Sequence, residues 1–290
     1  MVDNEFVSVH VLDNRFEADL LVESLKREGI PVILKPYEET AYDSLFISQK
    51  GWGAILVPSS KARKASEIIR EILEDLRAKK LFEDPSEVDP LLWERLNEAV
   101  PDEVCKNAQV RFDPKERAYL VPFLAGLCRV IPGERRVELV GNIPFNKLDF
   151  ELVLVILHYL MDSRLVPLAG RWIGEKDLPG GDLFFTGPHQ LPTRELIGAF
   201  GRDTSLFRAA MEKLGGVEMK FGDASYRLWA LPRVPVMFIL WEGDEEFEPA
   251  IHIRFDASVT EHFPVLDTIW ALINVICRNI LAASGKLRVT

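Results

Sequence analysis

The chain has 290 residues, of which 48% are hydrophobic and 28% are charged. These proportions are typical of a globular protein and exclude an intrinsically disordered chain. The formal net charge is −10, and acidic residues outnumber basic residues both in residues 1–90 and in the remainder. Because nucleic-acid binding requires a clustered basic surface, the composition predicts no nucleic-acid partner.

The sequence gives no sign of a membrane segment, and its cysteines give no sign of a metal site. The longest apolar stretch, residues 150–161, is too short to cross a bilayer, and acidic residues within the first five positions argue against a signal peptide. We therefore expect a cytoplasmic protein without a membrane partner. Cys105, Cys128 and Cys277 are far apart and lack C-x-x-C spacing, so they indicate neither a zinc nor an iron–sulfur site. The identity of any cofactor stays open.

Residues 1–78 have the pattern of a small domain. Alternating apolar residues predict strands at residues 5–12, 30–34 and 54–57, and amphipathic helices are expected after the first and third strands. The order strand, helix, strand, strand, helix predicts a ferredoxin-like β-α-β-β-α domain.

This small domain also resembles a known family, through the segments FEADLLVESLKREGIPVIL and GWGAILVPSSKARKASEII. Over residues 5–76 it is similar to the prokaryotic signal-transducing family catalogued as domain of unknown function 2007. The resemblance implies a role in signal transduction and brings no catalytic residue with it.

Residues 79–101 are charged and contain three prolines, so we expect a linker with a short helix near residues 91–99. Residues 102–290 then form the second predicted domain. Its short strands fall into two clusters, and helices lie between and after them. This arrangement predicts an α+β domain with a mostly antiparallel sheet and helices packed on it.

The most apolar strand of the larger domain is predicted at residues 234–241. An acidic turn at residues 242–248 follows it, and a second strand is expected at residues 251–255. Dense β-branched and aromatic residues bounded by Gly and Pro predict a hairpin whose first strand is deeply buried. In the second strand, alternation places His252 and Arg254 together on a polar face.

The larger domain resembles a second family over residues 92–281. The resemblance rests on LAGRWIGEKDLPGGDLFF, LPTRELIGAFGRDTSLFRAAMEKLGG and GDASYRLWALPRVPVMFILWEGDEEFEPAIHIRFDAS. These segments are similar to the family catalogued as domain of unknown function 3786. That family carries no activity to transfer. Some of its members are joined to a small iron–sulfur module, and this chain lacks the cysteine cluster of such a module.

A ligand cleft is predicted between the Gly- and Pro-rich residues 166–191 and the turn at residues 241–248. His189 lies in the first of these segments, and Asp182 is close enough in sequence to orient its imidazole ring. Tryptophan rings and an arginine would suit an anionic or planar ligand. The predicted ligand-binding residues are Trp172, Asp182, His189, Arg233, Trp241, Asp244, Glu245 and Asp256.

Each of these predictions has a plainer structural alternative. The several carboxylates of the acidic turn suit a Ca²⁺ or Mg²⁺ site. Their spacing is not that of an EF-hand loop, however, and a solvated hairpin tip explains them equally well. A surface loop accounts for His189, and tryptophans often only fill protein cores. His262 is expected near the start of the last helix, without a chemical role.

The chain contains no G-x-S-x-G elbow, P-loop, H-E-x-x-H motif or dinucleotide-binding G-x-G-x-x-G. The sequence therefore favours a non-catalytic binding or regulatory protein. In this hypothesis the small domain senses a partner or ligand, the larger domain holds a small molecule or protein partner, and an exposed sheet edge allows self-association.

The alternative hypothesis is a metal-assisted hydrolase or lyase. It requires one imidazole and several carboxylates to converge within a few ångströms. The residues proposed for this chemistry are Asp182, His189, Asp244, Glu245 and Asp256.

Overall fold

The structure is a computed structural model that describes residues 6–12, 15–36, 53–78, 85, 88–141, 144 and 148–286. The chain divides into two compact units, Met1–Leu81 and Phe82–Thr290. Each unit has its own hydrophobic core.

The small unit contains three strands and two helices among its described residues. They are β1 (Phe6–Leu12), α1 (Arg15–Arg27), β2 (Ile33–Pro36), β3 (Gly53–Pro58) and α2 (Ala62–Ala78). The strands form an antiparallel sheet in the order β1-β3-β2. Apolar residues at helical spacing, including Leu21, Leu25 and Ile69, are buried with Ile55 and Val57 of the central strand. The order of elements follows the sequence pattern, and a ferredoxin-like fold for residues 1–78 stays a prediction.

The larger unit combines helices with two antiparallel sheets. Its α-helices are α3 (Pro90–Glu98), α4 (Pro101–Ala108), α5 (Phe150–Asp162), α6 (Gly181–Phe184), α7 (Thr193–Phe200), α8 (Thr204–Lys213) and α9 (Leu266–Ala283). The first sheet has the order β4-β5-β6-β7, with β4 (Arg111–Asp113), β5 (Ala118–Phe123), β6 (Gly126–Ile131) and β7 (Arg136–Val140). The second has the order β8-β12-β11-β10-β9, with β8 (Trp172–Ile173), β9 (Val217–Glu218), β10 (Ala224–Leu231), β11 (Val234–Trp241) and β12 (Ala250–Asp256). The predicted α+β class is confirmed.

Strand β11 is the centre of the second sheet. Seven of its eight residues are buried, and the exception is Trp241 at its end. Because β11 pairs with β10 on one side and β12 on the other, its hydrogen-bonding groups are satisfied without water. Its apolar sequence therefore fits a strand that is covered on both faces, as the sequence predicts.

The two longest apolar helices of the larger unit, α5 and α9, pack against each other in its core. Asp149 caps α5 by accepting a hydrogen bond from the backbone N–H of Leu152. Among the described helices, α9 is long and apolar enough to cross a membrane, but 61% of its apolar window is buried inside the protein.

Part of the predicted linker belongs to the core of the larger unit. Residues 90–98 form α3, and its side chains Leu92, Trp93 and Leu96 are buried with the residues of α5. Three apolar residues on one face of a short helix were hidden within a charged and proline-rich sequence, which explains the linker prediction for residues 79–101. Residues 79–84, 86 and 87 of that segment lie outside the described residues.

A test of this correction compares Trp93→Ala with Leu91→Ala. Trp93 is 3% exposed, and its truncation leaves a cavity that should lower the free energy of unfolding by about 3 kcal/mol or more. Leu91, in the same helix, is 61% exposed and should change it by no more than about 0.5 kcal/mol. Urea denaturation followed by tryptophan fluorescence measures both. Equal stability of the two variants would mean that α3 does not contribute to the core.

Candidate functional site

The predicted site residues that belong to the second sheet or follow its strands lie at two ends of that sheet. In the antiparallel register, Trp241 pairs with Ala250 at one end of β12, and Asp256 pairs with Trp172 at the other end. The six residue steps from Ala250 to Asp256 correspond to about 20 Å of extended strand. Asp244 and Glu245 follow Trp241 in the turn and therefore share its end of the sheet.

The start of the segment at residues 166–191 and the turn at residues 241–248 therefore lie at opposite ends of β12, and the cleft predicted between the two stays a prediction. The start of the first segment is held at the Asp256 end of β12, and backbone N–H groups of residues 169 and 170 donate to that carboxylate. The turn instead packs near Gly201, whose carbonyl accepts a hydrogen bond from Gly243. The distance between these residues along the sequence does not indicate how far apart they lie in space, because the strand register determines that separation.

Asp256 is a structural anchor rather than an exposed acid. Its carboxylate is 4% exposed and accepts hydrogen bonds from the backbone N–H groups of Ala169, Gly170 and Ser258 and from the Ser258 hydroxyl. Burial alone would raise the pKa of Asp256, but these four hydrogen bonds outweigh it and hold the pKa below its usual value. The carboxylate thus joins the backbone at residues 169 and 170 to the end of β12.

Arg233 is also occupied by the backbone. Its guanidinium donates to the carbonyls of Lys106 and Asn107, at the C-terminal end of α4, and to the carbonyl of Val166. A cation at this end of a helix satisfies carbonyls that lack intrahelical partners and interacts favourably with the helix dipole. Arg233 thus joins α4 to the segment at residue 166.

His262 and Tyr159 form a buried polar group next to Arg233. The Tyr159 hydroxyl accepts from the backbone N–H of Arg233 and donates to the Ala108 carbonyl, and the His262 ring lies 6.3 Å from the tyrosine ring. Burial and the positive charge of Arg233 lower the pKa of His262 to about 4, although Glu261 favours protonation. Neither residue was predicted to have a role. An isolated histidine before a helix gives no sign in the sequence that it is buried.

His189 makes aromatic contacts instead of pairing with Asp182. Its ring stacks on Phe184 at 4.5 Å and meets the edge of Trp270 at 5.5 Å. The nearest described carboxylate oxygen belongs to Asp267, 3.9 Å from Nε2. Asp182 is exposed in α6, and no described contact joins it to His189.

The acidic turn is organised by its own backbone. The Oδ1 atom of Asp244 accepts from the N–H groups of Glu246 and Phe247, and these hydrogen bonds lower the pKa of Asp244. Glu245 is exposed. Within the described residues, no group of three His, Cys, Asp or Glu side chains has an arrangement that could hold a metal ion.

The surroundings of the three cysteines raise the pKa of each thiol. Burial raises the pKa of Cys128 to about 12 and also raises the pKa of Cys277. Cys105 is half-buried, and burial together with Asp102 raises its pKa as well. A thiolate is therefore disfavoured at all three positions near neutral pH.

A cleft of about 460 Å³ is present at a different place from the predicted one. Residues 166–168 form part of its wall, and Trp229, Pro232 and Arg233 contribute from the β10–β11 hairpin. Gln109 and Pro122 complete the lining. Of the eight predicted site residues, only Arg233 lines this cleft. Apolar side chains dominate the wall, and a volume of this size is typical of small-molecule sites.

The role assigned to Asp256 predicts a large effect of Asp256→Asn on stability. An amide nitrogen would replace one acceptor oxygen and face a buried N–H donor, so the free energy of unfolding should fall by about 2 kcal/mol or more. The control Asp182→Asn changes an exposed carboxylate and should stay within about 0.5 kcal/mol. Chemical denaturation at neutral pH compares them, and an Asp256→Asn protein of unchanged stability would contradict the anchoring role.

His262 predicts a loss of stability on acidification. Its pKa of about 4 lies below the ordinary value of 6.5, so between these pH values the unfolded chain binds more protons than the folded chain. Stability from this group is complete above pH 6.5, and roughly 2 kcal/mol should be lost between about pH 7 and about pH 5. His262→Phe should remove that loss.

The matched control for this measurement is His252→Phe, because His252 is exposed on β12. It should retain the loss of stability seen in the unmodified protein. Urea denaturation at about pH 7 and about pH 5 gives the change in the free energy of unfolding for each variant. If both variants have the same pH dependence, His262 is not buried in its neutral form.

Comparison with known proteins gives one family assignment. No curated protein and no solved structure matches the chain. The resemblance of residues 5–76 to domain of unknown function 2007 stays a prediction. A family model described as "Domain of unknown function (DUF3786)" matches residues 100–279. Since this match covers more than half of its 290 residues, the chain belongs to the DUF3786 family.

Proposed function

We propose that this chain is a non-catalytic, cytoplasmic binding or regulatory protein whose larger unit holds a small ligand in the cleft beside Trp229 and residues 166–168. The observation that carries the proposal is the chemistry of the cleft. Arg233 is the one ionisable residue of its lining, and an arginine neither gives up its proton near neutral pH nor acts as a nucleophile. The lining can therefore hold a molecule, whereas it offers no acid, base or nucleophile to transform it.

The cleft wall is fixed before any ligand arrives. Arg233 holds the carbonyl of Val166, and Asp256 holds the N–H groups of Ala169 and Gly170 on the other side of the segment at residues 167 and 168. A wall held at both sides loses little conformational entropy when a ligand binds. This preorganisation supports a binding role.

The alternative, a metal-assisted hydrolase or lyase, has less support from the geometry. Its imidazole, His189, packs against Phe184 and Trp270, whereas Asp256 is saturated by backbone donors and Asp244 lies at the opposite end of the sheet. Metal-assisted chemistry would need these groups within a few ångströms of each other.

We further propose that the small unit binds a protein partner or a second copy of the chain through a sheet edge. In the described sheet, β1 and β2 each have one neighbouring strand, and Val11 and Ile33 on these strands are about half exposed. An edge of this kind can accept an additional strand by backbone hydrogen bonding. This fits the signal-transducing role that the sequence resemblance implies.

The binding role predicts that a neutral planar probe, N-phenylnaphthylamine, binds the full chain with saturable fluorescence. Leu168→Arg places a charged side chain in the apolar cleft and should weaken this binding at least about 10-fold. The control Leu183→Arg changes a leucine of similar exposure, 47% against 43%, outside the cleft lining. It should bind the probe as the unmodified chain does.

Native mass spectrometry of untagged protein complements this titration, because it detects a molecule retained from the cell. The proposal fails if the unmodified chain neither binds the probe nor retains a ligand. It also fails if both arginine variants bind as well as the unmodified chain.

A further inference from the structure

Two arginines stand on the same face of the second sheet. Arg227 of β10 pairs with Met237 of β11, which in turn pairs with Arg254 of β12. Paired residues in antiparallel strands point to the same face, so both arginines flank Met237, with their Cα atoms about 10 Å apart. The opposite face carries Leu228, Phe238 and other core residues.

Neither arginine has an acidic partner in the described part of the chain. Arg254 donates a long hydrogen bond of 3.4 Å to the carbonyl of Ile253, on its own strand. Arg227 makes no side-chain hydrogen bond, and its Nε atom is buried without a partner. In a chain with ten more acidic than basic side chains, cations without carboxylates are unexpected. The terminal guanidinium nitrogens of Arg227 are not among the buried atoms, so an external anion can pair with them by charge-assisted hydrogen bonds.

Arg227 lies beside the proposed binding cleft. Its guanidinium carbon is 5.3 Å from the centre of the Trp229 ring, and the same indole lines the cleft and is 37% exposed. Arg233, which also lines the cleft, already donates to three backbone carbonyls. Arg227 therefore lies over the Trp229 ring, and a ligand in contact with that ring lies close to a cation.

We infer that the ligand of this cleft is a planar, largely apolar small molecule with one acidic group, whose ring contacts Trp229 and whose acidic group pairs with Arg227. This inference rests on the proposed function and adds the ligand class to it. The apolar wall at residues 166–168 accommodates the hydrocarbon part, and the planar guanidinium suits a carboxylate or another oxyanion.

A matched pair of probes tests the acidic group separately from the cleft. Anilinonaphthalene sulfonate carries the ring system of N-phenylnaphthylamine together with a sulfonate. Arg227→Gln should raise the dissociation constant for the sulfonate about 10-fold, while that of the neutral probe changes less than about twofold. Arg135→Gln, which removes an exposed arginine paired with Glu94, should change neither. Circular dichroism and thermal unfolding establish that each variant is folded.

The outcomes distinguish the inference from the proposed function. If both probes bind but Arg227→Gln affects them equally, the acidic pairing is wrong and the cleft remains. If neither probe binds the unmodified chain, the inference fails, and the proposed function fails with it when native mass spectrometry also detects no retained ligand. If Arg227→Gln does not fold, the test is the salt dependence of probe binding to the unmodified chain. Added salt should weaken binding of the sulfonate and leave binding of the neutral probe unchanged. Equal salt dependence of the two probes overturns the inference.

Discussion

The shape of the larger unit near its cleft depends on one side chain, Arg233, whose guanidinium satisfies carbonyls from two separate segments. Lys106 and Asn107 belong to the end of α4, and Val166 belongs to a segment about 60 residues further along the chain. Helix-terminal carbonyls have no partner within the helix, and leaving them buried without a donor would cost more than the hydrogen bonds gain. Arg233 thus fixes where the chain can pass.

Asp256 accepts hydrogen bonds on the other side of the segment that Arg233 holds at Val166. The backbone there presents N–H donors that no strand satisfies, at Ala169 and Gly170, and a buried carboxylate accepts both. Charged side chains are often taken to mark catalysis when they are buried. The charge of Asp256 is stabilised by three backbone N–H groups and the Ser258 hydroxyl, so its burial and its lowered pKa follow from the hydrogen bonds that hold this segment.

The sequence predicts the elements of this fold better than it predicts the site. Strand β11 was expected at residues 234–241 and is observed there, because its continuous apolar pattern reflects burial on both faces. Helices α7 and α8 are separated at Gly201. A side chain at Gly201 would approach Pro249 within 2.8 Å, so close packing requires glycine there.

The site required information that a single sequence does not contain. Trp241 and Asp256 are 15 positions apart in a hairpin, which suggested proximity, yet the register places them at opposite ends of β12. Arg233 lines a cleft other than the predicted one, and its three acceptors are backbone atoms that no motif reveals. Trp229 was not among the predicted site residues. Alternation within β10 predicts which face of the sheet its side chain lies on, but it does not predict that a cleft lies beside that face.

The overall charge determines how an acidic ligand could be recognised. A net charge of −10 repels anions at long range, so electrostatic steering does not favour their approach. The attraction must therefore be local and short-ranged, which requires a cation free of carboxylates and a surface that excludes water. Arg227 beside the partly exposed ring of Trp229 provides both conditions. Selectivity would then come from the apolar wall and the single charge acting together, because neither a neutral ring nor a small anion alone satisfies both.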